Sequence, residues 1–124
     1  MKYSFELLEN KRIFDGFLKL NRYRLKHELF VGGNSEVIIR ERMERLKAAS
    51  VLLYDAQLDK VVLVEQFRIG ALEHPDHPWV IETVGGYLGD DELPEAVARR
   101  EALEEADCEI QQLELICEFM VSPG

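Results

Sequence analysis

The sequence predicts a layered α+β or α/β domain on three observations. Apolar and polar residues alternate through the first forty-odd positions, short apolar runs separated by turns follow, and the stretch from Pro94 to Ala106 is built of strong helix formers. The predicted order is strands, one helix, then a further strand. With 124 residues, 47% of them hydrophobic, the chain can bury one modest core rather than two.

Taken in order, Ile13–Leu20 is apolar-rich around Gly16, and Tyr23–Phe30 has partial period-two character, so both read as strand. Gly32-Gly33-Asn34-Ser35 is a turn. Glu36–Lys47 suits either a strand, through Val37, Ile38 and Ile39, or the start of a helix at Glu41–Leu46. Ala49–Asp55 and Lys60–Arg68 read as two strands joined by a short polar turn. Two prolines make Glu73–Pro78 an irregular loop, so His74 and His77, which flank Asp76, read as exposed loop residues. Trp79–Val84 resumes a strand and ends at Gly85-Gly86. Pro94 suits the first helical turn, although Leu93 before it is a poor N-cap. Ile110–Val121 is apolar and strand-like.

The formal net charge is −9, from 24 acidic and 15 basic residues. Such a balance argues against a nonspecific nucleic-acid surface, which needs a basic face. It also repels phosphate, so a phosphate ligand would require local arginines or bound cations. No run reaches the eighteen or so apolar residues of a membrane span, and Met1–Glu6 lacks the layout of a secretory signal. Cys108 and Cys117 lie in apolar surroundings without metal-ligand spacing, which fits a soluble, reducing, cytoplasmic setting.

The most informative segment is Arg100-Glu101-Ala102-Leu103-Glu104-Glu105. Glu101, Glu104 and Glu105 stand at i, i+3 and i+4, which brings their carboxylates to one helical face. Oxygen-only clusters suit hard cations such as Mg2+ or Mn2+. Three glutamates alone would more often be a solvated acidic face, but the surroundings decide otherwise. Gly86-x5-Glu92-x7-Arg100-Glu101-Ala102-x-Glu104-Glu105-x-Asp107-Cys108 resembles the Nudix box over residues 86–108, with Asp107 in place of the glycine that closes the helix. That glycine normally supplies a left-handed cap, a conformation Asp adopts only at some cost.

The resemblance implies a Nudix-type α/β/α sandwich with a small N-terminal antiparallel sheet: residues 1–48 as the sheet region and 49–124 as a partial hydrolase domain. It implies that Gly85, Glu101, Glu104 and Glu105 hold Mg2+, with Mn2+ an alternative. Glu104, Glu105 and Arg100 are the implied catalytic groups, and Glu92 pairs with Arg100 to fix the loop against the helix. Beyond the box, Glu65-Gln66-Phe67-Arg68, Trp79-Val80-Ile81-Glu82 and Ser122-Pro123-Gly124, together with Phe17-Leu18 and Arg40-Glu41, resemble the bacterial ADP-ribose pyrophosphatase branch. That branch implies substrate contacts from Phe17, Leu18, Arg40, Glu41, Arg45, Arg68, Ser122, Pro123 and Gly124. It also implies a homodimer through the N-terminal strands, and a C-terminal part beyond Gly124 that carries the catalytic base. Tyr23 and Trp79 read as packing residues. The implied reaction is hydrolysis of ADP-ribose to AMP and ribose 5-phosphate. Another nucleotide sugar, such as GDP-mannose or UDP-glucose, and a non-catalytic nucleotide-binding module are the other readings.

Overall fold

The structure is a computed structural model that describes residues 3–44, 47–75 and 78–121. It forms two compact units, Met1–Arg45 with Phe119–Gly124, and Leu46–Glu118.

The first unit is an antiparallel sheet in the order β1 (Phe5–Asp15), β2 (Lys19–His27), β3 (Ile38–Glu44). Ile13–Leu20 is therefore not one strand: it straddles the β1–β2 hairpin, with Gly16 in the turn. A Cβ on Gly16 would lie 2.7 Å from the Phe14 ring, so the turn leaves little room for a side chain there. Gly32 and Gly33 carry φ of +87° and +76°, so the predicted turn uses glycine where other residues would be strained. Glu36–Lys47, open between helix and strand, resolves in favour of strand at β3, which pairs with β2 from Leu25↔Ile38 to Lys19↔Glu44. Asn21 is the buried polar residue of this sheet. Its amide donates to Asn10 Oδ1 at 2.9 Å, and its carbonyl accepts from Arg12 Nε.

In the second unit each long strand expected from the sequence is broken into two short ones. Ala49–Asp55 becomes β4 (Ala48–Val51) and β5 (Leu53–Asp55), and Lys60–Arg68 becomes β6 (Lys60–Val62) and β7 (Val64–Phe67). The breaks at Leu52 and Leu63 let one chain segment pair with two partners. β5 forms the expected hairpin with β6, while β4 pairs with β9 (Val84–Tyr87) and β7 with β8 (Trp79–Glu82). Asp55 Oδ1 closes the β5–β6 hairpin by accepting from the N–H groups of Gln57 and Leu58. β8 stops before Thr83, and β9 runs through Gly85-Gly86 rather than ending there. The glycines are needed inside the strand because its neighbours press close.

Helix α1 (Pro94–Ala106) starts as expected, with Pro94 in the first turn and no side-chain cap from Leu93. It buries Val97, Ala98 and Ala102, a stripe at helical spacing. Ala98 and Ala102 join Val51, Leu53 and Val84 in the core, with Val62, Val64, Ala106, Cys108, Ile110 and Leu113 around it. Asp107 ends the helix in the left-handed region, at φ 52° and ψ 38°, where the family pattern has glycine. The N–H groups of Asp107 and Cys108 bond back to the carbonyls of Leu103 and Ala102. Ile110–Val121 forms no strand: an apolar run becomes one only with a partner edge, and none pairs with it among the described residues. No helix among the described residues is long and apolar enough to cross a membrane.

Candidate active site

α1 packs on β9, and two of its glutamates meet the glycines of that strand. The Glu101 carboxylate fills the space beside Gly86, where a Cβ would lie 2.0 Å from Oε1. One turn later Glu105 reaches Gly85, whose N–H points to Oε2 at 3.4 Å. A helical spacing of four residues turns the side chain by only about 40°, so Glu101 and Glu105 share the strand-facing side. Glu104, about 60° from Glu101 and 100° from Glu105, is 59% exposed and shares Arg100 Nη1 with Glu101. The sequence pattern groups all three; the helix separates them into a packed pair and a solvent-facing one.

Arg100 ties this arrangement together. Its guanidinium lies 2.6 Å from Glu101 Oε1, 3.4 Å from Glu104 Oε2 and 3.3 Å from Glu92 Oε1. The expected loop-to-helix ion pair between Glu92 and Arg100 is therefore present, and Glu92 also accepts from the Gly89 N–H at 3.0 Å. The Gly89 N–H, followed by Arg100, holds the Glu92 carboxyl below its ordinary value. Glu92 first, then Glu101, in turn raises Arg100.

A further cluster comes from the β7–β8 hairpin. Gln66 Nε2 donates to Glu105 Oε1 at 2.7 Å. Two residues on, Arg68 Nε donates to both Glu82 oxygens, at 2.9 and 3.1 Å, with Nη2 adding a third contact to Oε1. Those bonds raise the Arg68 pKa, and the negative charge of Glu105 acts in the same direction. Neither Gln66 nor Glu82 carries a site role in the sequence pattern. Period-two alternation is the available signal, because Gln66 and Arg68 fall on one face of a strand.

The expected substrate contacts are distributed over both units. Phe17 and Leu18 are exposed in the β1–β2 turn of the first unit. Arg40 and Glu41 are adjacent on β3, so they point to opposite faces of that sheet, a separation their shared motif does not show. Glu41 is bonded to Arg22 at 2.7 Å, whereas Arg40 bonds the Ile39 carbonyl at 2.7 Å. Arg45, Ser122, Pro123 and Gly124, like Asp76 and His77, lie outside the described residues.

The donor chemistry fits a hard divalent cation: Glu101 and Glu105 offer carboxylate oxygen, and the strand glycines leave room for both. Arg100 pairs with the Glu101 carboxylate and Gln66 donates to that of Glu105. Among the described residues no three acidic, His or Cys side chains gather into a metal-holding group.

Residues 44–121 match the NUDIX domain, and the chain belongs to the Nudix family. It is 41% identical over 122 residues to the ADP-ribose pyrophosphatase of Haemophilus influenzae, a match covering 96% of this chain and 56% of that protein. It is 40% identical over 123 residues to the ADP-ribose pyrophosphatase of Escherichia coli K12, covering 99% and 59%. A GDP-mannose pyrophosphatase of Klebsiella pneumoniae is 42% identical over 86 residues, covering 68% and 43%. The chain thus spans 56% and 59% of the length of the two ADP-ribose pyrophosphatases.

Proposed function

We infer that the chain serves the divalent-metal-dependent hydrolysis of the diphosphate of ADP-ribose, giving AMP and ribose 5-phosphate. The observation that carries this reading is the seating of Glu101 and Glu105 against Gly86 and Gly85, one helical turn apart on the same side of α1. The proposed metal ligands are Glu101, Glu104, Glu105 and the Gly85 carbonyl. Gly85 points its N–H at Glu105, and in an extended strand the carbonyl of the same residue leaves by the same edge. Mg2+ is the assigned ion, with Mn2+ as substitute; bound there, it would neutralise charge on the diphosphate and lower the pKa of a bound water so that a nucleophilic hydroxide forms more readily.

The protein groups have separate duties. Arg100 orients Glu101 and braces the loop through Glu92. Arg68 is assigned to a phosphate oxygen or ribose hydroxyl, a contact that would draw its guanidinium away from the bridge to Glu82. Phe17, Leu18, Arg40, Glu41 and Arg45, and Ser122, Pro123 and Gly124, remain assigned to substrate. A homodimer through the N-terminal strands is supported by β1, an edge strand with Phe5, Leu7 and Phe14 exposed. Composition supports a cytoplasmic setting.

ADP-ribose as substrate is favoured by the two relatives of that name, which match nearly the whole chain. GDP-mannose is the second reading, on the Klebsiella match. A panel of ADP-ribose, GDP-mannose and UDP-glucose with Mg2+, followed by chromatography of the products, tests both. Release of AMP and ribose 5-phosphate from ADP-ribose in preference to the others is expected. Preferential cleavage of GDP-mannose would overturn the substrate, and metal-dependent binding of all three without turnover would leave a nucleotide-binding module.

A further inference from the structure

Glu101 and Glu105 are held in chemically different ways. Glu101 is paired with a cation, Arg100, whose charge opposes that of any metal brought to the same carboxylate. Glu105 is gripped at both oxygens by neutral N–H donors, Gln66 Nε2 on Oε1 at 2.7 Å and the Gly85 N–H on Oε2 at 3.4 Å. A neutral donor fixes the direction of a carboxylate without cancelling its charge, and each oxygen keeps a further lone pair. Gln66 is itself well placed for this. It is half-buried on β7, it pairs with Val80 on β8, and its chain neighbour on the same face, Arg68, is occupied by Glu82.

We propose that Gln66 is a positioning residue for Glu105, aligning that carboxylate for a divalent cation through its side-chain N–H. The proposal rests on the assignment of Glu105 as a ligand, and it adds the group that makes Glu105 competent. Outer groups that orient a ligand typically change metal affinity by about 10–100-fold when removed. Methionine matches the length of glutamine without a donor, and asparagine keeps the donor but falls one methylene short.

The test measures Mn2+ affinity by calorimetry for the full chain and for Gln66→Met, Gln66→Asn, Glu105→Gln and the Gln66→Met, Glu105→Gln double variant. Both Gln66 variants should bind Mn2+ about tenfold more weakly than the parent, with melting temperatures close to it. In the Glu105→Gln background, Gln66→Met should cause no further loss. A second readout needs no metal: the Gln66 side-chain amide proton resonances should shift when Glu105 becomes Gln. Parent-like Mn2+ affinity in Gln66→Met and Gln66→Asn, beside a weakened Glu105→Gln, overturns the positioning role alone. The positioning role also falls if Gln66→Met weakens binding equally with and without the Glu105 carboxylate. Parent-like affinity in Glu105→Gln would instead remove the ligand assignment beneath it.

Discussion

The Glu101 carboxylate occupies the volume that a side chain on Gly86 would fill, with Oε1 2.0 Å and the carboxyl carbon 2.3 Å from the Cβ position. The obstacle is the far end of a flexible side chain, so Gly86→Ala should push Glu101 aside rather than break the strand. We expect the variant to fold, with a stability change within about 1 kcal/mol, while Mn2+ affinity falls by about tenfold or more. Unchanged affinity by calorimetry would show that Glu101 does not need this seat.

Gly85 should respond in the opposite sense. Its Cβ would meet the Ala49 carbonyl at 2.7 Å and the Ser50 Cα at 3.1 Å, both backbone atoms of the paired strand β4. Neither can rotate away, so Gly85→Ala should force the β4–β9 pair apart and cost about 1–3 kcal/mol. Urea unfolding of the two variants side by side checks the contrast. Equal stability would mean that β4 and β9 are not packed this closely.

These two glycines also mark how far the sequence could be read. The helix formers from Pro94 to Ala106 identified the helix and its spacing grouped the carboxylates, because both depend on local helical geometry. The Glu92–Arg100 bridge, which joins a loop to the helix, followed only from the resemblance to the Nudix box. Local spacing did not reveal that Glu101 sits on Gly86, that Gln66 bonds Glu105, or that Glu104 faces solvent. Those depend on which strand lies under the helix. The breaks at Leu52 and Leu63 were hidden for the same reason: each divides an unbroken apolar run, and only the pairing with different partners separates the halves.

Metal should stabilise the fold through the same carboxylates. A ligand that binds only the folded state raises its stability by mass action, by about 2.7 kcal/mol at roughly one hundred times the dissociation constant. Mg2+ should therefore raise the melting temperature of the parent, and the rise should vanish in a Glu101→Gln, Glu105→Gln double variant. A rise of equal size in that variant would place the ion elsewhere.

Glu105→Gln by itself should remove most of the proposed diphosphate hydrolysis while preserving the circular dichroism spectrum. Glutamine keeps the size and part of the hydrogen bonding to Gln66 and Gly85, but it loses the charge a hard cation requires. Parent-level turnover at matched folding would remove Glu105 from the machinery.

Asp107 offers a gain rather than a loss. A residue with a Cβ at φ 52° and ψ 38° carries left-handed strain of up to about 1–2 kcal/mol, less for Asp than for most residues. Its negative charge also lies at the unfavourable C-terminal end of the helix dipole, where such a charge costs about 0.3–1 kcal/mol. Glycine removes both terms and gives back about 0.4–1 kcal/mol through the greater freedom of the unfolded chain. The balance predicts that Asp107→Gly stabilises the protein by about 0.5–1 kcal/mol. A lowered midpoint in denaturant would show that the Asp side chain makes a stabilising contact at the helix end that its backbone angles do not reveal.

Glu44 sets a pH dependence in the N-terminal sheet. The Tyr23 hydroxyl, first, and then Arg42 hold its carboxyl below the ordinary value, and the Arg42 guanidinium lies 4.9 Å from the Tyr23 ring centroid. A depressed folded-state pKa contributes stability that is present above the unfolded value and lost as pH falls through the folded one. Tyr23→Phe removes the leading cause, so the Glu44 midpoint should move upward in a carboxyl carbon NMR titration. The variant should be less stable than the parent near neutral pH, and the gap should narrow on acidification through the carboxylate range. The direction is specific, because a loss of ring packing alone would leave a gap that does not change with pH. An unmoved Glu44 midpoint in Tyr23→Phe would show that the hydroxyl does not hold the carboxylate in solution.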